Sequence, residues 1–150
     1  MLEGAQGGDG YTICEGFEST AELARAHGWI AEQSYWAAGV PLEVFERAVR
    51  NSLVLTARDL DGALVGMARV ATDRATFAWI CDVFVDEAHR GHGLAGRLMA
   101  AIRAHPDLQG LRRMLLATRD AHAVYARHAF RPLAAPELWM EIHDPDVYRR

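Results

Sequence analysis

The residues of this chain best placed for chemistry are Arg90-Gly91-His92-Gly93-Leu94-Ala95-Gly96 and, a few positions upstream, Asp82. The first group follows an apolar run, Phe77–Val85, and a polar break, Asp86–Arg90, and it leads directly into the helical pattern Arg97–His105. A turn that opens a helix leaves backbone N–H groups unpaired at the positive end of the helix dipole, which suits a phosphate. Gly91 and Gly93 remove the Cβ atoms that would hold a pyrophosphate away from the backbone. Arg90 and the amides of residues 91–96 therefore read as a cradle for a phosphate-bearing group. Asp82 lies inside an apolar strand pattern, where an unpaired carboxylate is expensive to bury. It must line a wet cleft or have a partner such as an arginine. Arg69, midway along a neighbouring strand pattern, either pairs with Asp82 or binds an acidic acceptor.

Spacing separates the classes of phosphate cofactor. Gly91 to Gly96 begins like a P-loop, but Arg97-Leu98 stand where Lys and Ser/Thr are needed, so terminal phosphates and Mg²⁺ lack their ligands. Gly91-x-Gly93-x-x-Gly96 also matches a dinucleotide fingerprint, with Asp120 as a ribose-binding acid. That fingerprint starts at the strand end and needs further βαβ units. Here five residues intervene, and only thirty follow Asp120.

The elements that must position these residues follow from periodicity and punctuation. A strand is expected at Tyr11–Glu15, after a disordered lead over residues 1–10. Ser19 or Thr20 caps a helix over Ala21–Ala31, and Pro41 begins another that runs towards Asn51. Leu53–Arg58 and Leu64–Thr72 are β-like runs joined through Asp61-Gly62, and Thr76–Val85 is a long strand. Alternation along that strand puts Asp82 on the face of Ile80 and Phe84, opposite Val83 and Val85. The helix after Gly93 buries Leu94, Leu98 and Ile102 and stops at Pro106. Leu111–Ala117 is read as a strand, Ala121–Ala129 as a helix capped by Asp120, and Leu138–His143 as a closing strand. The order predicts one α+β, three-layer α/β/α domain over 11–150 with a mixed, mostly antiparallel central sheet.

Arg90-Gly91-His92-Gly93-Leu94-Ala95 resembles the Arg/Gln-x-x-Gly-x-Gly/Ala loop of the GNAT superfamily of N-acetyltransferases. Downstream, Thr118-x-x-Ala121-x-x-x-Tyr125-x-x-x-Ala129-Phe130 is similar to that family's Asn-x-x-Ala-x-x-x-Tyr-x-x-x-Gly-Phe stretch, with Thr and Ala replacing Asn and Gly. The resemblance implies a GNAT-like fold that takes acetyl-CoA as co-substrate. It gives Val83 and Val85 backbone contacts to the pantetheine arm, and assigns cofactor contacts to Arg90, Gly91, His92, Gly93, Leu94, Ala95, Gly96 and Thr118. It further implies that Tyr125 is the general acid and Asp82 the base, direct or through water. The first helices and their loop would cover the acceptor, which points to Ser34, Tyr35 and Trp36, with Arg69 as a further substrate contact. From the side chains alone, Tyr125 equally suits a core position, because Ala121, Val124, Tyr125 and His128 share one helical face. The Tyr35–Trp36 pair equally suits a packing clip.

Composition fits that reading. Hydrophobic content of 51%, 24% charged residues and a net charge of −4 suit a globular enzyme and give no footprint for nucleic acid or a membrane surface. No apolar stretch approaches about 18 residues. The start lacks a signal-peptide pattern, and two cysteines fit free thiols in a reducing cytoplasm. His89, His92, His122 and His128 show no zinc spacing, so no metal is expected. The expectation is an N-acetyltransferase acting on a small-molecule or protein amine by direct attack in a ternary complex, possible as a homodimer. The alternative is a non-catalytic acyl-CoA-binding regulatory module.

Overall fold

The Asp61-Gly62 turn closes the hairpin around which the sheet is built. Gly62 takes φ +82°, and the Asp59 carboxylate accepts from the Asp61 and Ala63 amides at 3.0 and 2.9 Å. The computed structural model describes residues 5–150. Its strands are β1 (Ala5–Gln6), β2 (Thr12–Glu15), β3 (Leu53–Arg58), β4 (Leu64–Thr72), β5 (Phe77–Val85) and β6 (Arg113–Leu115). They lie in that order in one sheet, antiparallel throughout except for the parallel β5/β6 pair. The helices are α1 (Thr20–Gln33), α2 (Leu42–Arg50), α3 (Leu94–Ala104) and α4 (His122–Ala126).

Local chemistry explains the helix limits. The Ser19 hydroxyl accepts from the Glu22 amide at 3.2 Å, while the Glu22 carboxylate reaches back to the Glu18 amide at 2.9 Å. α3 stops at Ala104 because His105, before Pro106, is held extended. α4 ends in a left-handed residue, Ala129 at φ +71°. The Phe130 and Ala129 amides return to the Tyr125 and Ala126 carbonyls at 3.3 Å each, and the Phe130 ring meets Tyr125 edge-on at 6.1 Å. This is a Schellman closure with alanine where glycine is usual.

Two apolar clusters make the three layers. On one face α3 contributes Leu94, Leu98, Met99 and Ile102 to a cluster with Leu55, Val70, Ala78 and Ile80. On the other, Trp29, Ile30 and Phe45 from α1 and α2 pack on Val54, Met67 and Phe84. A forked ion pair pins α1 to the sheet, with Arg58 Nη1 and Nη2 donating to the two Glu22 carboxylate oxygens at 2.6 and 2.7 Å.

Four expectations are corrected. Ala5–Gln6 of the supposedly disordered lead pair with Ile13 and Thr12, while residues 1–4 lie outside the described residues. The strand expected at Leu111–Ala117 shrinks to Arg113–Leu115, because β6 parts from β5 after Leu115. The helix expected at Ala121–Ala129 covers only His122–Ala126. Finally, Leu138–His143 is not a strand. Its first residue, Leu138, ends a 3₁₀ turn at Pro136–Leu138, and residues 139–143 have no regular structure and no sheet partner. Alternation makes a segment fit for a strand, but only a neighbour's hydrogen bonds make it one.

Candidate active site

β5 carries one residue more than β4 across the site. Met67 pairs with Phe84 and Arg69 with Cys81, so Asp82 and Val83 oppose the single residue Ala68. Asp82 takes up this bulge at φ +47°, a conformation that Asp tolerates better than most side chains. The bulge reverses the faces of the strand. Ile80 points into the α3 cluster and Phe84 into the α1/α2 cluster, whereas Val83 and Val85 pack on the α3 side. The simple alternation that put Ile80 and Phe84 on one face fails here, because a bulge leaves no trace in the apolar pattern.

The buried Asp82 has two partners. Its Oδ1 accepts from Trp36 Nε1 and its Oδ2 from Arg69 Nε, both at 2.7 Å. Arg69 also donates through Nη1 to the Ser52 hydroxyl at 3.1 Å. Of the two roles open to Arg69, the structure shows the pairing with Asp82. Trp36 comes from the loop between α1 and α2, where Ser34 donates to the Ile30 carbonyl and accepts from the Ala37 amide. Tyr35, beside it, meets the Trp36 ring edge-on at 5.0 Å. The Tyr35 hydroxyl accepts from the Arg119 amide at 2.9 Å, and the Arg119 guanidinium lies 3.9 Å from the Tyr35 ring centre. One short loop thus bridges β5 and the segment after β6.

Beneath that bridge the sheet is open. The β5/β6 pairing ends at Trp79 and Leu115, so the β6-facing edge of β5 beyond Trp79 has no strand against it. The Asp86 amide donates to Val65 on the β4 side, so alternation turns the backbone groups of Val85 and Val83 towards the opening. Arg90 Nε already donates to the Val85 carbonyl at 3.0 Å, and its guanidinium lies over the Phe84 ring.

The glycine loop stands at the mouth of this opening. Gly91 and Gly93 have φ of +84° and +72°, and a Cβ on either would enter open space. Gly93 is the N-cap of α3 and offers no side chain to its amides, so the first-turn N–H groups are free of a cap. A Cβ at Gly96 would lie 3.5 Å from Nε2 of His128, which follows α4. The His92 ring rests 5.2 Å from Tyr11, whose hydroxyl is 2.9 Å from His89 Nδ1.

Tyr125 lies in α4 and packs against the α3 cluster. Burial, then the neighbouring Tyr35 and Asp120, raise its hydroxyl above the ordinary tyrosine value, so it stays protonated through neutral pH. Asp120 does not cap α4 as expected. The N-cap is Ala121, and Thr118 Oγ1 accepts from its amide at 3.1 Å. Thr118 is thereby tied to the start of α4. The Tyr35–Arg119 contact was not foreseen, and no local signal in the sequence announces it.

The structure thus has uncapped amides at a glycine-opened helix, an unpaired strand edge on β5, and a protonated tyrosine that packs, like Val83 and Val85, against the α3 cluster. The model of the acetyltransferase (GNAT) family matches residues 18–130 of the chain. The chain belongs to the GNAT family. A GNAT-family acetyltransferase structure from Xanthomonas campestris pv. campestris is 41% identical, covers 92% of this chain and 97% of its own, and superposes with a TM-score of 0.85. An acetyltransferase structure from Deinococcus radiodurans shares the GNAT fold at 20% identity, with coverage of 91% and 90% and a TM-score of 0.68. A predicted acetyltransferase of Clostridium acetobutylicum, solved with acetyl-CoA, shares it at 12% identity, with coverage of 89% and 96% and a TM-score of 0.64. No curated protein matches the sequence. As a GNAT acetyltransferase this chain is an enzyme of acyl transfer. Among the described residues no helix is long and apolar enough to cross a membrane, and no side-chain group is arranged to hold a metal.

Proposed function

We propose that this enzyme transfers an acetyl group from acetyl-CoA to a primary amine by direct attack in a ternary complex. The observation that carries the proposal is the parting of β5 from β6 beside the uncapped start of α3. The residues fit the co-substrate, since the loop leaves open space where Gly91 and Gly93 lack Cβ atoms. Arg90 and the amides of Gly91, His92, Gly93, Leu94, Ala95 and Gly96 would hold the pyrophosphate. Val83, Val85 and Thr118 would hold the pantetheine arm through the open strand edge and the start of α4. When bound, acetyl-CoA supplies an activated acetyl thioester.

The protein's own groups then manage protons and position. An alkylammonium with a pKa of about 10 must lose a proton before attack. Asp82, paired with Arg69, accepts it directly or through one water. Arg69 is a positioning residue for that carboxylate. An amide near Val83 polarises the carbonyl, and Tyr125 returns a proton to the departing sulfur. Tyr35 and Trp36, both exposed on the loop that bonds Asp82, line the acceptor site. The free thiols Cys14 and Cys81 suit a reducing compartment such as the cytoplasm. Calorimetric titration with acetyl-CoA, with NADH and ATP as controls, tests the cofactor. Thiol release over an amine panel tests turnover. Selective acetyl-CoA binding with amine-dependent thiol release is expected. Absence of acetyl-CoA binding overturns the proposal, and binding without turnover on any amine points to the regulatory module instead.

A further inference from the structure

A cavity of about 390 Å³ lies at the C-terminal end of α3, and the proposed chemistry does not use it. Leu108, Met114 and Phe130 line it from the α3 cluster. Exposed arginines also line it: Arg103 in the last turn of α3, Arg112 just before β6 and Arg131 after α4. Gly110, turning the chain at φ +69°, and the left-handed Ala129 bring the last two to the helix end. No residue that lines the cavity carries a carboxylate. Among the described residues, the guanidinium groups of Arg103, Arg112 and Arg131 meet no carboxylate, carbonyl or ring. Gln109 Nε2 donates to the Arg103 and His105 carbonyls at 2.8 and 3.0 Å, which covers the negative end of α3. Cations gathered without a counter-charge repel one another, and an anion between them relieves that cost.

We infer that this cavity is a binding site for a small phosphomonoester, separate from the co-substrate loop and the acceptor site. A phosphomonoester offers three terminal oxygens, one for each guanidinium, whereas a carboxylate offers two. The volume suits a small molecule. A net charge of −4 opposes a polyanion such as nucleic acid, whose approach depends on the field of the whole molecule. Arg103 lies about 15 Å along α3 from Gly93. The loop that carries Trp36 packs, through Ala37, on the opposite face of the sheet. The separation from co-substrate and acceptor rests on the function proposed above, while the phosphate site itself does not. A bound phosphate would tie Arg131, next to the closure that ends the Tyr125 helix, to α3 and β6.

Calorimetric titration with inorganic phosphate, in sulfate-free buffer at about 150 mM NaCl, tests the site. One saturable site with a Kd below about 10 mM is expected, undisplaced by saturating acetyl-CoA, with acetate at least about tenfold weaker. Arg112→Gln and Arg131→Gln should each weaken phosphate binding at least about tenfold. Both positions are exposed, so thermal unfolding should match the parent. Both variants should bind acetyl-CoA and 3′-dephospho-acetyl-CoA as the parent does. No saturable phosphate binding, unchanged affinity in both variants, equal binding of acetate, or displacement by acetyl-CoA would each overturn the inference. Weaker binding of acetyl-CoA but not of its 3′-dephospho form would assign the arginines to the co-substrate and overturn it too. Phosphate binding lost in the variants, by a protein that binds no acetyl-CoA, would support this site while the proposed function fails.

Discussion

Asp82→Asn isolates the polar cluster at the bulge. Asparagine keeps the size of the side chain and tolerates the +47° backbone, so strain does not confuse the result. The substitution removes the charge that faces Arg69, whose side chain is only 18% exposed, and puts an amide donor against a donor. Removing one partner of a buried ion pair costs about 3–5 kcal/mol. The residual exposure of Arg69 argues for the lower end, about 3 kcal/mol. In a chain of 150 residues each kcal/mol moves the Tm by about 2–4 °C, so a fall of roughly 6–12 °C is expected. Removing both charges in Asp82→Asn/Arg69→Met should restore most of this, because no unpaired guanidinium is left. Thermal unfolding of the three proteins by circular dichroism is the assay. A single variant within about 1 °C of the parent, or a double variant no more stable than the single, would refute the assignment of Asp82 and Arg69 as a coupled buried pair.

The other expectations concern the cofactor loop, the acid and pH. Gly93→Val puts a branched side chain at φ +72° beside the free amides of α3, and calorimetry should show acetyl-CoA binding lost; normal affinity would mean the loop does not hold the cofactor. Tyr125→Phe should lower turnover about 100-fold with little change in acetyl-CoA affinity, and unchanged turnover would remove the hydroxyl from the mechanism. Because burial raises the Tyr125 pKa, the parent should keep its acid form up to and above the usual tyrosine value, and any alkaline limb it causes should vanish in the Phe variant. Glu22 is lowered from 4.5, chiefly by its hydrogen bond from Arg58, so its stabilising contribution is present above that pH and lost as pH falls through the lowered value. Glu22→Gln should therefore be less stable at neutral pH and show a flatter acid limb in pH-dependent unfolding; an identical acid limb would count against the pairing.

The sequence alone determined the features that depend on neighbours along the chain. Asp61-Gly62 fixed a hairpin, Ser19 a helix start and Pro106 a helix stop, because caps and turns are local chemistry. Gly91 and Gly93 marked a backbone that needs positive φ, and the spacing from that loop to Tyr125 identified the family. Tertiary structure decided what depends on strand partners. Asp82 acquired its surroundings from Trp36, 46 residues away, and from an extra residue in β5 that apolar alternation does not register. The β6-facing edge of β5 is open because β5 and β6 separate after Trp79, although both strand patterns continue beyond that point. Leu138–His143 has every sequence mark of a strand and is none within this chain, since backbone pairing is a property of two segments. Local residues set which conformations are available, while only long-range hydrogen bonds and packing choose which surfaces remain open for chemistry.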